Sequence, residues 1–374
     1  MKHAARARQS LPDPDLPTPH STAPTSPPHV WLTLLYAAAC GGLAMLLHIP
    51  LPWMAGPMVG VAAAKMFRKP VAPTRYGRQV GQLIIGAAIG LYFTPVALHT
   101  MREVAGWMLL CSFATLGTAA LSALWIQRST GMSFATGFFA SVPGGASEMA
   151  QLGERHGATV DFVALSQSLR MIAIVVLLPP LFVLSGMHGI EETSASPVPL
   201  SWRGLAELLA LCAASGGVLT LLRAPTPFML GPLITSVALT ATGHALSAVP
   251  APLTGAAQLF IGLALGCRME RDFLIAAPRL LLASAAAIAI NLVLSASIAI
   301  GVGAATGIAV PTLLLALAPG GVAEMSLTAR LLHLSVPTVS AFHVTRLLVI
   351  LTLTAPVAAL GKRMHARVQR RRND

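Results

Sequence analysis

The chain has 374 residues, 55% of them hydrophobic and only 10% charged, and its mean hydropathy is +0.72. Soluble domains carry about 25% charged residues, so a soluble protein is excluded and a polytopic all-α membrane protein is expected. The net charge of +12 would suit nucleic acid, but the bases sit at the chain ends and in loops between apolar segments, as in cytoplasmic loops of membrane proteins; no nucleic-acid partner is expected.

A spanning helix needs roughly 20 apolar residues. Residues 1–29 cannot begin one. Pro12, Pro14, Pro17, Pro19, Pro24, Pro27 and Pro28 leave no room for a helix, and the composition predicts a disordered tail. The tail is too long and polar for a cleaved signal peptide, so the first helix reads as an uncleaved anchor. Long apolar stretches follow at 30–49, 107–126, 158–187, 205–222, 280–303 and 336–360, with shorter, Gly/Pro-interrupted ones at 53–67 and 228–243. Cys40, Cys111, Cys212 and Cys267 stand singly, without metal or redox spacing, and read as packing residues. No cofactor or metal is expected.

The sequence contains itself twice. Ser141-Val142-Pro143-Gly144-Gly145-Ala146-Ser147-Glu148-Met149 returns 176 residues later as Leu317-Ala318-Pro319-Gly320-Gly321-Val322-Ala323-Glu324-Met325. The same offset maps Gln82 onto Gln258, Gly86 onto Gly262, Gly90 onto Gly266, Arg170 onto Arg346 and Pro180 onto Pro356. With a slip of one residue, Gly56-Pro57 maps onto Gly231-Pro232. A period this long means two copies of a whole domain. The predicted division is a disordered tail at 1–29, membrane repeat 1 at 30–187, a linker at 188–201, membrane repeat 2 at 202–361 and a basic tail at 362–374.

Charge sets the orientation. The loop after the second apolar segment of repeat 1 carries Lys65, Arg68, Lys69, Arg75 and Arg78, whereas its counterpart near Thr242 to Thr254 has no base. The next loop reverses the balance, with Arg268, Arg271 and Arg279 in repeat 2 against Arg102 alone in repeat 1. Lys and Arg mark the cytoplasmic side, so the two copies are expected to run in opposite directions, as an inverted-topology repeat. Both chain ends are basic and expected in the cytoplasm, and the linker with Glu191 and Glu192 outside. Each repeat then crosses an odd number of times although it holds six apolar segments. The Pro-Gly-Gly segments, 132–142 and 311–318, are too short to cross. They are expected to form re-entrant helical hairpins, giving about five crossings and one hairpin per repeat. The alternative makes the short second segment re-entrant instead.

The breaks carry the candidate chemistry. Proline removes a donor and glycine permits positive φ, so a half-helix is expected to begin after Pro143-Gly144-Gly145 and after Pro319-Gly320-Gly321. Its free N–H groups and positive dipole end favour an anion. Glu148 and Glu324 fall in its first turn, either as caps or as ion-path carboxylates. Arg170 and Arg346 follow each glutamate by 22 residues, near the middle of an apolar helix. Each arginine either pairs with a glutamate and pins the fold, or joins the half-helix N-termini in an anion-attracting centre. Gln167 and His343 precede them by three residues, on the same helix face. Gln82 and Gln258 open Gly-x3-Gly segments suited to close helix packing, as polar site groups or interhelical bonds. Asn291 reads as interhelical glue.

These motifs resemble the AbrB-type membrane protein duplication family of bacteria. The likeness is carried by the two Gly-Pro segments, the two Gln-x3-Gly segments, the two Pro-Gly-Gly-x2-Glu-Met motifs and the following arginines, from about Trp31 to Leu360. The family shares its name with a soluble DNA-binding regulator whose small β fold this chain cannot form. The resemblance implies regulation of gene expression, and some members carry an ammonia monooxygenase label. The latter does not suit these residues, because no two of the eleven histidines lie within four positions and metal sites need clustered ligands. Asymmetry at Gln167/His343 and Asp161/Pro337 departs from a two-fold site.

The expected function is a non-enzymatic one: a multi-pass bacterial inner-membrane protein, acting as a secondary transporter or channel for a small, anionic solute bound between the repeats. The alternative is a membrane-embedded regulator or sensor acting on gene expression indirectly. The partners expected are the lipid bilayer and a small-molecule solute, with homo-oligomerisation left open.

Overall fold

The computed structural model describes residues 30–189, 198–269 and 278–373. The tail at 1–29, and most of the linker with Glu191 and Glu192, lie outside the described residues, as does Arg271. Among the described residues the chain is helical, with no strand. That is what an apolar sequence in hydrocarbon requires, since a helix bonds its backbone within its own segment.

The first half supplies α1 (Val30–Leu46), α2 (Pro52–Met66), α3 (Gly77–Gly90), α4 (Pro95–Glu103), α5 (Ala105–Thr130), α6 (Phe134–Ser141), α7 (Ala146–Arg155) and α8 (Val160–Leu184). The second supplies α9 (Trp202–Leu221), α10 (Pro227–Ala241), α11 (Ala251–Gly266), α12 (Pro278–Thr306), α13 (Val310–Leu317), α14 (Val322–Leu331) and α15 (Val336–Asn373). Among the described residues, ten of the eleven with left-handed φ, all at helix ends or starts, fall in pairs 175 or 176 apart: His48 and Arg223, Leu51 and Thr226, Arg68 and Gly243, Gly131 and Gly307, Gly157 and His333.

By length and hydropathy, α5, α8, α9, α12 and residues 336–354 of α15 can each cross a membrane. A sixth span arises if α3 and α4, bent by 88°, are counted together. This measure gives fewer than the ten crossings expected from sequence. The reason is local: the apolar stretch at 30–49 stops at Leu46 because His48 and Leu51 turn left-handed, leaving 17 helical residues. Helices of 14 to 17 residues such as α1, α3 and α11 reach only about 21–26 Å at 1.5 Å per residue, against about 30 Å of hydrocarbon.

The helices sort into two bodies. One contains α1, α2 and α3 with α9, α10 and α11; the other contains α5 to α8 with α12 to α15. Few contacts join them, chiefly α3 to α14 and α15, α8 to α2 and α11, and α4 to α15. The first body is interlocked between halves. A Cβ on Gly86 of α3 would lie 2.8 Å from Met229 O of α10, and one on Gly262 of α11 would collide with Met54 O of α2. Gly90 and Gly266 meet α10 and α2 one turn further on, and Ser236 Oγ donates to Ala87 O at 2.8 Å. Each Gln-x3-Gly helix thus packs backbone to backbone on the Gly-Pro helix of the other half, the contact that glycines four apart allow. Cys111, Cys212 and Cys267 are buried and Cys40 is half-buried, all as free thiols.

Candidate functional site

Each Pro-Gly-Gly sits between two short helices. Helix α6 begins under a Ser133 cap, whose Oγ accepts from Thr136 N–H, and ends at Val142 with φ −61° and ψ 128°. Helix α7 starts after Gly145, at φ −69° and ψ 135°. In the second half α13 ends at Ala318 (φ −54°, ψ 140°) and α14 starts after Gly321 (φ −92°, ψ 160°). None of the four motif glycines has positive φ, which corrects the expectation that glycine serves here to reach the left-handed region. Space is the reason instead. A Cβ on Gly144 would lie 2.7 Å from Met149 Cγ, and one on Gly320 2.8 Å from Met325 Cγ. On Gly145 or Gly321 it would fall on the carboxylate of Glu148 or Glu324. The Glu-Met pair of each motif folds back under its own glycines.

The two arginines hold the turns. Arg170 Nη1 donates to Val142 O at 2.9 Å and Nη2 to Gly144 O at 3.1 Å. Arg346 Nη1 donates to Ala318 O at 2.8 Å and to Leu317 O at 3.5 Å, and Nη2 to Gly320 O at 2.8 Å. The residues one turn earlier do the matching work: Gln167 Nε2 donates to Phe139 O at 2.7 Å and Val142 O at 2.8 Å, and His343 Nε2 bonds Leu315 O at 3.0 Å. Because a carbonyl can only accept, the His343 proton is on Nε2, and Nδ1 accepts from Arg346 Nη2 at 2.6 Å. A cation at a helix C-terminus satisfies orphan carbonyls and opposes the dipole. Neither arginine forms an ion pair with Glu148 or Glu324. Arg170, Arg346, Gln167 and His343 are all buried, at 2%, 5%, 0% and 1% exposure.

A cavity of about 90 Å³ lies where the two bodies meet, lined from both halves. Its walls include Pro143 to Ala146 at the start of α7, Gly320 to Glu324 at the start of α14, Arg346 and His343 on α15, and Gln82 and Arg78 on α3. Arg268 after α11 and Thr226 before α10 complete the lining. Two half-helix N-termini, with their unpaired N–H groups, therefore face one space beside three arginines. Glu324, at 7% exposure, is within electrostatic reach of Arg78 and Arg268, and Arg268 also of Glu148.

Not every expected site residue is there. Of the fourteen, Pro143, Gly144, Gly145, Gly320, Gly321, Glu324, Arg346, Gln82 and His343 line the cavity; Pro319, Glu148, Arg170, Gln167 and Gln258 do not. Gln167 and Arg170 face the carbonyls of α6 instead. Glu148 keeps one buried oxygen without a partner. Asn291 donates to Ala287 O of its own helix at 3.2 Å, so the bond it makes is not the interhelical one expected. Arg78, Arg268 and Thr226 were missed because they read as loop residues. One signal was available: Arg78 precedes Gln82 by four, on the same face of α3.

The family model described as transition state regulatory protein AbrB matches residues 53–361. The chain belongs to the AbrB family. The match takes in all but the first residue of α2, both Pro-Gly-Gly turns, both Gln-x3-Gly helices and both arginines. The chain is 26% identical over 366 residues to uncharacterized protein YhjN of Bacillus subtilis (strain 168), covering 90% of this chain and 94% of that one. It is 26% identical over 322 residues to the putative regulator AbrB of Escherichia coli (strain K12), covering 84% and 91%. Together with the apolar helices, these matches describe a helical membrane protein of AbrB type.

Proposed function

We propose that this AbrB-family chain is a secondary transporter for a small anionic solute, with its site in the cavity between the two bodies. The observation that carries the reading is the cavity wall itself: Arg78, Arg268 and Arg346 beside two half-helix N-termini, one from each half. Donors and positive charge held in place in a cleft are what an anion needs to leave water. Glu324 on the same wall offers a carboxylate for proton coupling.

The reading includes an inverted duplication with five crossings per half: α1, α2, α3, α5 and α8, then α9, α10, α11, α12 and α15. The pairs α6–α7 and α13–α14 enter and return from opposite sides. The paired left-handed residues support the duplication. Lys65 Nζ donates to Cys267 O at 3.0 Å and Arg279 Nε to Ser129 O at 2.9 Å, so basic ends pair α2 with α11 and α5 with α12, in keeping with ends on a cytoplasmic face. Arg78 and Arg268 belong to that face, so the cavity opens to the cytoplasm of a bacterial inner membrane, with both termini inside.

The test is a thermal-shift screen of the purified protein with small carboxylates, inorganic anions and amino acids, followed by uptake into proteoliposomes. A stabilising anion that is also taken up supports transport. The names of the matched family and of the Escherichia coli relative favour a second reading, a membrane-embedded sensor influencing gene expression indirectly; saturable binding without flux would select it.

A further inference from the structure

A second void lies within the hairpin-bearing body, behind the first Pro-Gly-Gly turn. Ser141 on α6, Ser166 and Arg170 on α8, and Ser284 and Asn291 on α12 line it, and its volume is about 10 Å³. That is room for one occupant of about water size. Ser141 Oγ and Arg170 Nε are buried and have no hydrogen-bond partner; the two residues are 3% and 2% exposed. Ser166 and Ser284 share a single 2.6 Å bond between their hydroxyls, which leaves one of their two protons free. Asn291 donates one amide proton to Ala287 O and keeps the other.

Three of these polar positions are apolar in their repeat counterparts. At the 176-residue offset Ser141, Ser166 and Ser284 become Leu317, Phe342 and Met108, all buried hydrocarbon or thioether. Arg170 has a nitrogen, Nε, that is both fully buried and unpartnered, and Arg346 has none that is both. Around Arg170, α6, α8 and α12 therefore carry hydroxyls where their counterparts α13, α15 and α5 carry apolar side chains. A buried guanidinium bonded only to neutral carbonyls, with Arg346 in electrostatic reach, lacks a counter-charge, and burying an uncompensated charge is costly. A water would satisfy the Nε–H group and leave the charge.

We propose that this void is a resident anion site holding one monovalent anion of halide size, coordinated by Arg170 Nε–H, the Ser141 hydroxyl and the spare Ser166/Ser284 and Asn291 protons. It is distinct from the cavity between the bodies and does not rest on the transport reading.

The experiment compares melting midpoints of the full chain in sodium chloride, bromide and gluconate at equal ionic strength. Gluconate is too large for the void. Chloride and bromide should raise the midpoint saturably by about 2–4 °C over gluconate, the shift expected when a ligand binds only the folded state. Ser141→Leu, which fills the void with the residue of the matching repeat position, and Asn291→Ala should each abolish that difference, while Arg268→Gln in the larger cavity should keep it. Anomalous scattering from bromide-grown crystals should place one peak beside Arg170 Nε. Equal midpoints in chloride and gluconate, a halide effect lost in Arg268→Gln but kept in Ser141→Leu, or water without bromide at that position would each overturn the proposal.

Discussion

Replacing Arg346 with Met should destabilise the protein more than replacing Arg170 with Met. Arg346 serves Ala318 O, Gly320 O, Leu317 O at longer range, and His343 Nδ1. Ala318 O keeps the Gly320 N–H bond at 2.8 Å, so the substitution chiefly strands Gly320 O and His343 Nδ1. Hydrogen bonds to a charged group are worth about 1.5–3 kcal/mol each, so three strong ones amount to about 4.5–9 kcal/mol. Removing an arginine from membrane depth returns about 2.5–3.5 kcal/mol. The net cost is then about 1–6.5 kcal/mol for Arg346→Met. At Arg170 the ledger differs. Val142 O is also bonded by Gln167, the Nε–H group has no protein partner to lose, and in a halide-free buffer only Gly144 O is stranded. Two such bonds against the same return give about 0–3 kcal/mol. Melting midpoints of the two variants, measured with wild type in one detergent, should rank wild type, Arg170→Met, Arg346→Met. An Arg346→Met protein that melts at or above the wild-type midpoint would show that the guanidinium does not hold the second turn, and the capping account would fail.

Arg78→Gln and Arg268→Gln line the cavity without the carbonyl network, so each should keep the wild-type midpoint and lose stabilisation by the anion found in the screen; retained stabilisation in both would remove them from the site. Gly86→Ala and Gly262→Ala place a methyl against the backbone of α10 and α2 and should cost about 1–3 kcal/mol, whereas Gly217→Ala, with nothing within 4 Å, should be neutral or gain up to about 1 kcal/mol; midpoints of the three read the contrast. A cysteine at Thr226, in a background lacking the four native cysteines, should react with an impermeant thiol reagent in inside-out vesicles and not in intact cells, and the opposite pattern would reverse the cavity's orientation. A periplasm-active reporter fused at Pro199 should give signal and one fused after Asp374 should not; the reverse would overturn the orientation of both halves.

The sequence by itself determined the helical membrane class, the helix breaks and the pairing of motifs, because these depend on local composition and on an offset that any reader can count. Apolar length predicts helices, proline at a break removes a donor, and the 176-residue repeat pairs Arg170 with Arg346 before any contact is known. What those residues touch was decided by tertiary structure. The arginines spend their donors on carbonyls at the ends of α6 and α13, some 26 to 29 residues back in the chain, a choice among partners that spacing cannot make. Gln82 and Gln258 stand in the same local motif, yet only Gln82 reaches the cavity, because the space opens on the side where α3 begins and α11 ends. Arg78 and Arg268 join the site for the same reason: antiparallel packing of α3 on α11 brings the start of one helix beside the end of the other, and only assembly of the two bodies turns loop charges into a cavity wall.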